Sequence, residues 1–176
     1  MRAANPALVL WLQSTHGSTM PSPTPRFESK RPGQIFKIRV GDRGFAFAQY
    51  VLWTDDGPMF RLYDTLVNGE TSIEQVVVGT PSRFIVVGGI PGALKAGWWT
   101  LVGRLPVSSF THPRFRFTFA RKPGVHHDWK IWDGKSETLI GELTPELRTL
   151  EFRCGWSPQA LEKRLLTGRC FADDLL

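Results

Sequence analysis

The chain has 176 residues, 41% of them hydrophobic, which is enough for one domain with a core and too few for two comfortable ones. Its formal charge is +6 at neutral pH, and two cysteines sixteen positions apart exclude a disulfide framework and a cysteine zinc motif. Residues 1–43 hold seven Lys or Arg against two acids, so the basic excess reads as lying in and beside an N-terminal tail.

Residues 1–30 read as a disordered leader. ALVLWL, from Ala7 to Leu12, is too short for a signal-peptide core or a membrane span, and the Ser-, Thr- and Pro-rich stretch after it buries little apolar surface. Met20 is an alternative start to Met1. Residues 31–170 read as one β-rich domain and residues 171–176 as a tail.

Within the domain, alternating apolar residues predict strands near 34–40, 44–53 and 59–63, joined by GDRG and TDDGP turns. The alternation puts Phe36, Ile38, Phe45 and Phe47 in the core, with Ala46 and Ala48 on the other face and Lys37 and Arg39 solvated. LYDTLVNGETSIEQ is polar and reads as a loop, with strand composition returning at VVVG and again at Arg83–Gly88. GIPGALKAG has room for one helical turn. WWTLVGRLPV, FRFTFAR, WKIWDG and TLIGEL complete the strands; Trp98 and Trp99, like Trp129 and Trp132, fall on opposite strand faces.

The period then changes. Thr144-Pro145 and Ser157-Pro158 each supply a capping oxygen followed by proline at the first helical position. Gly168 suits a left-handed cap, and Leu161, Leu165 and Leu166 form an apolar stripe opposite Glu162, Lys163 and Arg164. The fold class is therefore α+β, mostly antiparallel sheet arranged as a meander or partly open barrel, with a short C-terminal helix.

Catalytic signatures are weak. His126 and His127 are adjacent and would point to opposite faces of a strand, so they do not share one ion. Asp55 and Asp56 sit in a turn that favours aspartate for local hydrogen bonds. Cys154 has no histidine near it in sequence, and the glycine-rich stretches lack the setting that gives phosphate-binding loops their meaning. The reading is a non-enzyme without cofactor or metal, reduced and cytoplasmic.

RPGQIFKIRVGDRGFAFAQYV, then RLYD at Arg61–Asp64, KAGWWTLVGRLPV at Lys95–Val107 and LEFRCGWSPQALEKRL at the C-terminal end resemble the immunity protein 26 family of bacterial polymorphic toxin systems. The resemblance spans Arg31 to Leu166. It departs at Gln34, where the family tends to carry an acid, and at Ala48-Gln49, where it tends to carry glycine and a base. It implies a small non-catalytic protein that binds and neutralises a cognate toxin encoded nearby, without a membrane role.

Two loops, Asp64–Gln75 and Ala120–Asp128, are the candidate contact surfaces, with Asp64, Asn68, Glu70, Glu74, Arg121, Lys122, His126, His127 and Trp132 as candidate partner-binding residues. A second reading takes the chain as a small β-barrel nucleic-acid-binding module. It would use Arg114, Arg116, Arg121 and Lys122 beside the aromatics of RFRFTFARK. In an ordinary half-buried strand the same run turns Phe115, Phe117 and Phe119 inward.

Overall fold

The computed structural model describes residues 26–68, 72–77, 82–108, 110–119 and 128–168, leaving out the side chains of Asp64, Thr65, Glu74 and Val77. Strands β1 (Gln34–Arg39), β2 (Phe45–Thr54) and β3 (Gly57–Val67) form the expected antiparallel meander, which β4 (Ser82–Val87) extends by pairing antiparallel with β3. With β5 (Trp99–Arg104) and the two-residue β10 (Gly155–Trp156) they make a six-stranded sheet in the order β10-β4-β3-β2-β1-β5. A second sheet, in the order β8-β7-β6-β9, holds β6 (Phe115–Phe117), β7 (Trp129–Trp132), β8 (Glu137–Gly141) and β9 (Glu151–Phe152). Among the described residues neither sheet closes into a barrel.

The described residues also form the helices α1 (Ile73–Val77), α2 (Ile90–Lys95), α3 (Pro145–Arg148) and α4 (Pro158–Thr167). The caps fall where the sequence puts them. Thr144 Oγ1 accepts the Leu147 N–H at 3.4 Å and Ser157 Oγ accepts that of Ala160 at 3.2 Å. Gly168 is left-handed at φ 70°, its N–H donating to Arg164 O at 2.7 Å.

The first hairpin differs from its expected facing. Phe36 lies opposite Ala48 and Ile38 opposite Ala46, so the large residues of β1 and the small ones of β2 share one face. Phe47 turns the other way and joins Ile35, Tyr63 and Val76 in a smaller core under α1. Both faces of the large sheet are buried, and the alanines leave the space that Phe36 and Ile38 fill.

Three further expectations are corrected. The chain is folded before residue 31, because Phe27 packs its ring edge-on against Tyr50 at 5.0 Å and Tyr50 Oη donates to Ser29 O at 2.7 Å. The polar segment after Tyr63 is not all loop, since β3 runs to Val67 and a helical turn follows at Ile73. Val76 and Val77 end that helix instead of starting a strand, with residues 78 and 79 outside the described residues.

Gln34, Ala48 and Gln49 are interior. Gln34 donates to Arg26 O at 3.1 Å and accepts the Glu28 N–H at 3.0 Å. Gln49, fully buried, donates to Leu105 O at 3.0 Å and accepts the Tyr63 hydroxyl at 3.3 Å. Gln49→Leu is expected to strand both partners and lower stability by about 1–3 kcal/mol, read from the urea midpoint at unchanged m.

Candidate functional site: an aromatic platform on the small sheet

Most of the residues singled out from sequence do not gather into a site. Glu70, Arg121, Lys122, His126 and His127 lie outside the described residues, as do the side chains of Asp64 and Glu74. Asn68 is exposed, its carboxamide beside Gly44 at the start of β2. Trp132 is a correction: it is buried, because His112 packs edge-on with ring centres 4.7 Å apart and the Arg153 guanidinium lies 4.2 Å over its ring; Trp129 is buried as well. An exposed Trp132 anchor is therefore ruled out by packing.

What the structure does present is a patch beside the end of β6, next to the undescribed residues 120–127. β6 ends at Phe117, so Phe119 leaves the ladder and stands 78% exposed, its ring edge-on to that of Phe117 at 5.7 Å. Phe117 pairs across the sheet with Lys130, and Lys130 with Leu139 of the outer strand β8. Leu139 is 62% exposed. Lys130 Nζ sits 5.1 Å from the Phe119 ring centre.

Arg153 holds this platform together. Its Nε donates to Asp56 at 2.6 Å and its Nη1 to Glu137 at 2.7 Å, while its guanidinium lies 4.2 Å from the Trp132 ring centre and 5.1 Å from that of Phe117. Burial by itself would lower the Arg153 pKa, but the bonds and charges of Asp56 and Glu137 outweigh it and push the pKa up. Glu137 also faces Lys130 Nζ at 3.6 Å. Among the described residues, the two cations Arg153 and Lys130 are thus paired with the two carboxylates Asp56 and Glu137. The hollow between Asp56, Phe117, Phe119, Glu137 and Arg153 measures about 220 Å³. Its chemistry is that of a rigid rim around exposed apolar surface.

A larger groove of about 520 Å³ runs between α2 and the start of α4, lined by Gly88, Gly92, Trp98, Gly155 and Trp156. Among the described residues no three His, Cys, Asp or Glu side chains converge, and no helix is long and apolar enough to cross a membrane. Cys154 is partly buried against the core.

The basic strand divides. Arg114 is exposed, but Arg116 is 3% exposed, donates to Leu150 O at 2.8 Å and lies over Trp129. Those two cations do not share one surface. The positive excess lies elsewhere and is not carried by a tail: residues 26–43 and 95–104, all described, hold eight Lys or Arg against Glu28 and Asp42. That local excess equals the net charge of the whole chain.

No family model, no curated protein and no solved structure matches this chain.

Proposed function

We propose that the chain is a non-catalytic bacterial immunity protein that acts in the cytoplasm by binding a cognate toxin and blocking it. The observation that carries this reading is the Phe119–Leu139 patch. A large aromatic ring stands in solvent on a platform whose neighbouring charges are already paired. Such a ring loses little side-chain entropy on docking, and contact surfaces of this kind concentrate binding energy in a few residues. The blocks that carry the resemblance to immunity protein 26 fall largely on β1, β2, β5 and α4, the scaffold beneath. The surface free to vary between partners is then the small sheet and its loops.

The test is co-expression of the tagged chain with the product of the gene beside its own, followed by co-purification and growth. A stable complex and restored growth support the reading. Phe119→Ala, at so exposed a site, is expected to shift folding stability by no more than about 0.5 kcal/mol. Its cost to binding is expected to be about 2 kcal/mol, roughly thirtyfold in Kd, with growth rescue lost in proportion. A wild-type chain that neither binds nor rescues overturns the proposal.

A further inference from the structure

The strand β5 ends the six-stranded sheet, and among the described residues no strand pairs with its outer edge. The pairing of β1 with β5 shifts by one residue between Ile35 and Phe36, leaving Val102 as the extra residue of a bulge. The bulge leaves Val102 without a partner on β1 and bends the strand there. Alongside lies an open groove of about 400 Å³ whose apolar part is Leu101, Val102 and Gly103 and whose rim is Glu28, Arg31 and Arg104. Arg31 and Arg104 are exposed at one end of the strand. Arg39, whose N–H donates to Trp98 O, and Lys95 at the end of α2 lie at the other.

These features coincide with the concentration of positive charge described above. Glu28 is held by Arg31 at 3.1 Å, and Asp42 stands in the distant β1–β2 turn. Edge strands are commonly guarded by lysine or proline within the strand, by a bulge or by cover. Here β5 contains neither lysine nor proline and its bulge lies toward the Arg104 end, so among the described residues Trp99–Leu101 keep a regular, uncovered outer edge.

The geometry points to β5 as a docking edge for an extended acidic peptide segment, which adds as a further strand, seats apolar side chains over Leu101 and Val102 and sets its carboxylates against Arg31 and Arg104. Backbone pairing supplies affinity in this mode and alternate side chains supply selectivity. Alternate positions of an added strand lie about 7 Å apart on one face, so carboxylates at its Arg104 end meet the two arginines, Arg104 and Arg31, that rim the groove there. The surface is distinct from the Phe119 platform and does not depend on it.

The probe is an acetylated eight-residue peptide alternating glutamate and valine, added to the full-length protein while amide hydrogen exchange is followed by residue. Slowed exchange within Trp99–Arg104, about tenfold or more at saturation, supports strand addition. Binding that weakens as salt rises, with no binding of the lysine–valine counterpart, supports the charge match. Arg31→Glu with Arg104→Glu, both exposed, is expected to weaken the peptide about tenfold. Binding that leaves the β5 amides unprotected overturns the proposal. So does equal binding of the lysine peptide, or a response at this edge to single-stranded oligothymidylate but not to the acidic peptide.

Discussion

Replacing Trp99 by alanine is expected to lower the stability of the domain by about 3–5 kcal/mol, the range for emptying a large aromatic site in a core. Trp99 is 2% exposed and meets Phe60 edge-on with ring centres 5.7 Å apart, and Phe36 at 5.8 Å. Phe27 and Tyr50 extend the same cluster, so the rings around the vacated volume brace one another and collapse into it poorly. Trp98 provides the control one residue away. It is 44% exposed, and its replacement is expected to change stability by less than about 1 kcal/mol. Urea unfolding of both variants separates the outcomes: equal losses would contradict the assignment of the two faces.

That division between Trp98 and Trp99 was legible from strand alternation alone, as were the meander, the helix caps and the C-terminal helix. The facing of the first hairpin was not. A sheet covered on both sides places apolar residues at odd and even positions alike, and Ile35 beside Phe36 carries no period to read. Trp132 was hidden for another reason: its ring is covered by His112 and Arg153, each about twenty positions away in sequence. β9 and β10, at two residues each, are too short to show a pattern.

The candidate site was legible only in its neighbourhood. The run FRFTF predicts Phe119 inward with Phe115 and Phe117, and nothing local in it announces that pairing stops at Phe117. Arg153 was not signalled at all, since Asp56 and Glu137 are 97 and 16 positions away. The size of the positive charge was plain from the sequence. Six of the seven cations of residues 1–43 lie in 26–43, and the ring of Phe27 ties that stretch to the core, so they belong to the domain and not to a leader.

Glu151→Ala is expected to cost about 2–4 kcal/mol, because one carboxylate on β9 serves two arginines from other parts of the fold. It accepts from Arg83 of β4 at 3.0 Å and from Arg164 of α4 at 2.7 Å, so it ties the small sheet to the large sheet and to the helix. Arg164 is the reason for the size of the effect. The helical pattern turns it to water with Glu162 and Lys163, yet its side chain is 7% exposed, stacked 4.9 Å from the Trp156 ring centre. Removing Glu151 leaves that buried guanidinium without its carboxylate, whereas Arg83, 40% exposed, recovers solvation from water. Adding Arg164→Met to Glu151→Ala removes the stranded charge while keeping apolar contact with Trp156. The double variant is therefore expected to be more stable than Glu151→Ala alone, a sign that a purely additive pair cannot produce if Arg164→Met by itself destabilises. Thermal or urea unfolding of the four proteins closes the cycle, and additive losses would show that Glu151 acts through local packing and not as the junction between the sheets.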